Sequence, residues 1–404
     1  MTQDHPQLPH VQGQAQGNQT VQSLHVLTLT PFYPSENDDA AGCFVAEPLD
    51  TLAKAGVVNT VFAVQPAYRS RLRARDCGWR AEWLRYLSLP GGFGLPMAGA
   101  FLFARIVGRV RELQKSHRID LIHAHAPLPC GHAAMLLSVE LGVPYAVSVH
   151  GLDAFSTNQV RGRAGEWCRR ISQRVYRSSR RVICISERVR EQVLEGAGNG
   201  CRTSVVYNGV DPEVFSPATE PSDQRPIILS VGNLIAIKGH DLLIRAVATL
   251  AAEFPLVTLE IIGDGAERGH LQTLAQQLQI GDRVRFLGRR SRQQVASAMQ
   301  QCTLFALPSR YEGLGCVYLE AMASGKPVIG CRGQGIEEVV EHGTNGWLVG
   351  TDDVKELRDA LSTLLSNASL RKFVSGQARQ TVLDGFTLTR QADHLRHIYH
   401  ECTE

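Results

Sequence analysis

ALPSRYEGLGCVYLEAMASGKPVIG, residues 306–330, decides how the chain is read. An apolar run ends at Pro308, Gly313 and Gly315 bracket a turn, an apolar helical stretch follows, and KPVIG (326–330) begins a second short run. Strand, turn, helix and strand in that order make the βαβ unit of a parallel sheet. Glu312 and Glu320 flank the turn. Acidic residues near a helix start complement the positive end of the macrodipole, so the pair by itself implies nothing about function.

The same rhythm extends in both directions. PIILSV (226–231), VTLEIIG (257–263), VRFLG (284–288) and CTLFALP (302–308) precede the KPVIG run with helical stretches between them. LHVLTLT (24–30), VVNTVFAV (57–64), DLIHAH (120–125), PYAVSVH (144–150), RVICIS (181–186) and TSVVYN (203–208) form a first set. Two such sets predict two doubly wound parallel sheets, and PATEPSDQRP (217–226) between them has a linker's composition. In such sheets ligands sit at the carboxyl ends of strands, so two facing sheets place a site in the cleft between them. VGN (231–233), GDG (263–265), PSRYEGLG (308–315) and His150-Gly151 all fall at such ends.

Composition narrows the class. With 404 residues, 44% hydrophobic and 20% charged, the chain is long enough for two cores and is globular. Its ten cysteines include no CxxC pair, which argues for reduced cytosolic thiols rather than disulfides or a zinc site. Residues 1–22 lack Lys, Arg and an apolar core, and read as a floppy leader rather than a signal peptide. LPGGFGLPMAGAFLFARIVGRV (89–110) is the most membrane-like window, but Pro96, Arg105 and Arg109 interrupt it.

SVGNLIAIKGHDLLIRA (230–246), IIGDGAERGHL (261–271), VRFLG and above all 306–330 resemble the retaining family-4 glycosyltransferases of the GT-B fold. FYPSENDDAAGCFVAEPLDTLAKAG (32–56), HAHAPL (123–128), SVHGLDAF (148–155), ICISERVREQV (183–193) and VYNGVDPEVFSP (206–217) extend the resemblance over nearly all the chain outside the leader. It implies an α/β fold of two Rossmann-like domains facing across a cleft. Residues 23–216 would bind the acceptor, 227–386 the nucleotide sugar, and a helix in 387–404 would pack back on the first domain. It implies retaining transfer of a hexosyl unit from a nucleoside diphosphate sugar to a glycan or lipid-linked acceptor, in cell-surface polysaccharide synthesis, with domain closure around the donor.

The resemblance also implies roles. Gly313, Leu314 and Gly315 would offer free N–H groups at a helix start to the diphosphate, where the glycines let the backbone approach closely. Glu320 would accept from the ribose hydroxyls and Glu312 would contact the transferred sugar. Lys238 would offset charge on the leaving diphosphate. Gly232 and Asn233 follow the first strand of the second set; the family often carries Arg at position 233, so here the diphosphate depends more on Lys238, the helix start or another cation. Leu314 stands where Phe is common. His150 would reach the donor sugar and diphosphate from the first domain, donating a hydrogen bond, and Gly42 matches a glycine-rich turn beside donor and acceptor. The leaving phosphate itself takes the acceptor proton in this family, so no protein nucleophile is demanded.

No Asp-x-Asp pair sits at a strand end, and no metal or other cofactor is expected. His123 and His125 are read as strand-end residues facing opposite sides of the sheet, and so not as a metal pair. From Arg69 to Arg190 there are 21 Lys/Arg against 8 Asp/Glu, a net of +13 in a chain of +3. The arginines of 68–80 and 161–181 suit an anionic surface, which predicts a cytoplasmic protein held peripherally at the inner face of the plasma membrane. Alternatives are a sugar phosphorylase or nucleotide-sugar epimerase of the same fold, a non-catalytic relative, and a nucleic-acid-binding protein. The last is disfavoured because the basic stretches lack interleaved aromatics.

Overall fold

The computed structural model describes residues 23–36, 38–69, 80–90, 94–155, 160, 162–198, 200–218 and 225–404. The predicted leader, residues 219–224 of the linker, and Arg71, Arg73 and Arg75 lie outside them. Two parallel sheets form. The first holds β1 (His25–Thr30), β2 (Val58–Pro66), β3 (Arg80–Tyr86), β4 (Leu121–His125), β5 (Tyr145–Val149), β6 (Arg181–Cys184) and β7 (Thr203–Val205), in the order 3-2-1-4-5-6-7. Its helices are α1 (Cys43–Lys54), α2 (Leu95–Ser116), α3 (His132–Leu141), α4 (Gly162–Ser178) and α5 (Glu187–Ala197).

The second sheet holds β8 (Ile227–Val231), β9 (Thr258–Ile262), β10 (Val284–Gly288), β11 (Leu304–Ala306), β12 (Val328–Cys331) and β13 (Trp347–Val349), in the order 10-9-8-11-12-13. Around it lie α6 (His240–Leu250), α7 (Arg268–Gln277), α8 (Arg292–Gln301), α9 (Cys316–Ala323), α10 (Val354–Ser366) and α11 (Ala368–Gly385). The last helix, α12 (Leu388–Thr403), returns to the first sheet and packs on α1, with Leu395, Ile398 and Tyr399 against Val45, Leu49 and Leu52.

Helices on both faces explain why β1, β4 and β5 are buried along their whole length, polar His25, Thr28, Thr30, His123, His125 and Ser148 included. Sequence reading missed β3 and β13. Both are edge strands; RAEWLRY is interrupted by charge, and WLV is only three residues long.

Strand order positions the site. In each sheet the chain moves outward from a central strand on one side and then crosses to the other, so β1/β4 and β8/β11 are the points where the winding reverses. Loops leaving such neighbours diverge to opposite faces and open a crevice at the carboxyl end. The loops after β8 and β11 therefore bring 232–239 and 307–315 together although some 70 residues separate them.

Among the described residues no helix is long and apolar enough to cross a membrane. The 89–110 window contributes instead to α2, which buries Ala98, Leu102, Ile106 and Val110 on one face and leaves Met97 and Phe101 exposed. The cysteines among the described residues are free thiols.

Candidate active site

Lys238 ends a single 3-10 turn, Ala236–Lys238, after β8. Gly239 follows with φ +69, and a Cβ there would stand 2.0 Å from the Pro308 carbonyl oxygen. Only glycine allows that approach, which ties the β8 loop to the β11 loop. Across this junction Lys238 Nζ donates to Glu312 Oε2 at 2.6 Å, with the side chains only 19% and 10% exposed. Gln334 Oε1 accepts from the Glu312 backbone N–H at 2.9 Å and holds the carboxylate's own loop.

Gly315 stands before α9 with φ +84, and a Cβ on it would meet the Tyr318 ring at 2.6 Å. The start of α9 is thus a left-handed glycine turn that no side chain caps. Leu314 points the other way and is fully buried in the core. Gly313 lies against the other domain: Ser186 Oγ donates to its carbonyl at 2.6 Å, and a Cβ on Gly313 would sit 2.9 Å from the His150 carbonyl oxygen. Gly232 approaches Gly263, where a Cβ would come within 1.9 Å of the Gly232 oxygen; Asn233 beside it is exposed.

Glu320 is buried and does not touch Lys238 or Glu312. Its Oε1 instead accepts from the Arg292 guanidinium, which also forks onto Glu47 of α1. Sequence reasoning missed both Arg292 and Glu47. The one local signal was a cation at the first position of a helix, where it opposes the macrodipole and calls for a compensating carboxylate.

On the facing domain Gly42 precedes α1 with φ +76, and a Cβ there would fall 2.4 Å from the Tyr33 nitrogen. His150, after β5, stacks on His125 with ring centroids 5.2 Å apart, and their Nε2 and Nδ1 share a hydrogen bond of 3.0 Å. His123 and His125 do not face opposite sides of the sheet, as expected from sequence. Residues two apart on a strand share a face, and the two ring centroids are 4.5 Å apart. His123 is fully engaged, with Nδ1 bonded to Tyr399 Oη at 2.8 Å and Nε2 to Ser148 Oγ at 2.7 Å. Burial pushes His150 down to about 4 and His123 to about 3, so both rings are neutral at pH 7. His150 Nδ1 is buried and without a partner among the described residues. Among those residues no cluster of three or more His, Cys, Asp or Glu is placed to hold a metal ion.

A cleft of about 860 Å³ opens at the carboxyl end of the first sheet, bounded by Phe32, Tyr68, Trp83, Tyr86 and Asp153, with Arg289 of the second domain at its rim. Asp153 Oδ1 accepts from the His150 backbone N–H at 2.9 Å, and burial raises its carboxyl to about 7.

Two facing doubly wound domains with glycine-lined strand ends and an interdomain cleft make up the GT-B fold. Residues 44–214 match the family Glycosyltransferase Family 4 and residues 212–381 match Glycosyl transferases group 1. An uncharacterised glycosyltransferase of Methanocaldococcus jannaschii is 31% identical over 295 residues, which span 73% of this chain and 79% of that protein. The chain belongs to the group 1/family 4 glycosyltransferases. Among solved structures, the sucrose-phosphate synthase of Thermosynechococcus elongatus superposes with a TM-score of 0.75 at 21% identity, covering 93% of this chain and 98% of that one. Anabaena HepE in complex with UDP and glucose gives 0.70 at 22% identity, covering 93% and 98%. These likenesses show the fold.

Proposed function

We propose that this glycosyltransferase is a retaining enzyme that moves a hexosyl unit from a nucleoside diphosphate sugar to a glycan or lipid-linked acceptor, in the synthesis of a cell-surface polysaccharide. The observation that carries the reading is the Lys238–Glu312 pair beside the glycine turn of α9, where Gly313 abuts the His150 carbonyl of the facing domain. In this reading the diphosphate lies against the α9 N–H groups and Lys238, whose charge counts most when the leaving group departs. Glu312 and neutral His150 hold the sugar, Glu320 takes the ribose, and the aromatic rings of the large cleft stack against the acceptor. The positive charge comes from the chain itself, without a metal. HepE, which shares the fold, was solved with UDP and glucose, which favours a nucleotide donor.

Melting the protein with UDP, GDP and ADP tests the donor. The correct nucleotide at about 100 times its dissociation constant is expected to add about 2.7 kcal/mol of stability. Equal melting temperatures with and without all three would sink the donor reading. With the matching nucleotide sugar, NMR of the product is expected to show the donor's anomeric configuration kept; inversion would overturn the retaining assignment.

The proposed site of action is the inner membrane surface. On α4 the exposed Trp167 lies among exposed Arg163, Arg170, Arg174 and Arg177. Each basic residue near an anionic surface contributes about 1 kcal/mol, so Arg170→Ser with Arg174→Ser is expected to weaken binding to phosphatidylglycerol vesicles about thirtyfold at low salt. Binding that ignores ionic strength and lipid charge would leave these arginines as a solvated face.

A further inference from the structure

Arg292 belongs to the second domain, yet it is built into the first. Its Nε and Nη2 donate to the two oxygens of Glu47 at 2.8 and 2.9 Å, a fork that crosses the domain boundary. Its Nη1 donates to Glu320, and its guanidinium lies 4.7 Å over the ring of Phe215, near the end of the first domain. The backbone N–H of Arg292 donates to Asp39 Oδ1 at 3.2 Å, and Arg289 pairs with Asp38 at 2.8 Å. The start of α8 is therefore fastened to the loop and helix that follow β1.

The arginine side chain is only 14% exposed and the Glu320 side chain 4%. A carboxylate shut in that tightly has few orientations, and the planar guanidinium selects among them because it donates its N–H bonds only in its own plane. A lysine at the same place would supply the charge without the plane. One face of the guanidinium is occupied by Phe215 and two of its edges by Glu47, so its grip on Glu320 depends on where the first domain stands.

We propose that Arg292 is a positioning residue of the donor site: it sets the Glu320 carboxylate for the ribose hydroxyls and, through Glu47, makes ribose recognition depend on closure of the first domain. This rests on the nucleotide-donor reading above, in which Glu320 takes the ribose. Arg292 touches neither the sugar nor the diphosphate in this role. It acts through Glu320, and the property it controls is the preference for a ribonucleotide over a deoxynucleotide.

The test is calorimetric titration of the full chain with UDP, GDP and ADP, then with the 2′- and 3′-deoxy counterparts of whichever binds. Wild type is expected to prefer the ribonucleotide by at least about tenfold, the effect of one hydrogen bond to a charged group. Arg292→Gln and Arg292→Lys are expected to bring that preference to within about threefold, and Glu47→Gln to lower it as well. Glu47→Gln keeps the Arg292–Glu320 pair and so guards against a variant that fails only by misfolding, with melting of each free protein as the control. Full preference in both Arg292 variants overturns the proposal. Full preference in Glu47→Gln alone overturns the link to closure. A wild type that binds a ribonucleotide no better than its deoxy forms overturns the role of Arg292 while leaving the donor reading intact, whereas no binding of any nucleoside diphosphate brings down the donor reading itself.

Discussion

Lys238→Ala is expected to lower turnover by about 10²–10³, the loss seen when one preorganised charge donor to a transition state is removed. The donor's affinity is expected to fall less, because the charge on the leaving diphosphate is greatest in the transition state. The ion pair offers a competing explanation. Lys238 neutralises a carboxylate that is only 10% exposed, and removing it leaves Glu312 without its cation. Two further variants separate the two. If the lysine merely balances Glu312, adding Lys238→Ala to Glu312→Gln slows that variant no further; if it serves the diphosphate, the double variant is slower than Glu312→Gln by about the factor that separates Lys238→Ala from wild type. Lys238→Arg keeps the charge but alters its geometry and is expected to fall between. Turnover by Lys238→Ala within threefold of wild type, in a protein of unchanged melting temperature, would remove the assigned role.

Stability of the first domain is expected to fall by about 2 kcal/mol between pH 7 and pH 4.5 from the balance of His150, His123 and Asp153, and further through His125, at about 1.36 kcal/mol per unit of pKa difference for each group. Three buried histidines drive it. In the unfolded chain they take up protons near 6.5, whereas burial holds folded His150 at about 4, His123 at about 3 and His125 well below its usual value. The unfolded state therefore binds more protons throughout that window, and stability drops as pH falls below 6.5. Asp153 opposes this: folded, it takes its proton near 7 instead of 3.8, so it stabilises the fold as pH falls and offsets roughly one histidine. The other groups facing the cluster, Ser148, Tyr399, Phe32 and Phe44, bring no charge near these pH values. Urea midpoints at pH 7.5, 6.0, 5.0 and 4.5 measure the slope, and His123→Gln is expected to reduce it. A midpoint constant down to pH 4.5 would show that water and protons reach the rings freely in the folded state. The cavity between the histidines, about 20 Å³, has room for only a single water, which favours the neutral, shielded arrangement.

Local chemistry carried much of this protein in its sequence. The period of apolar runs separated by helices implied two parallel sheets, because a strand buried on both faces needs a continuous apolar run and a crossover helix needs its own stripe. Gly313 and Gly315 marked the strand-end turn: Gly315 has a positive φ, and a Cβ on Gly313 would stand 2.9 Å from the His150 carbonyl oxygen. Lys238, Glu312 and Glu320 were each singled out in that context. Tertiary structure decided who meets whom. Lys238 pairs with Glu312 across 74 residues, while Glu320, instead of joining them, is held by Arg292 from 28 residues away and linked to Glu47 across 245. The shared face of His123 and His125 was open to the two-residue period of a strand and was misread, but their closure by Tyr399 required the last helix to return to the first sheet. Periodicity reports which face of an element is buried; it does not report which element covers that face. Strand order and domain docking settle that, since the energy of an ion pair or a buried ring depends on the partner's position in space and not on its distance along the chain.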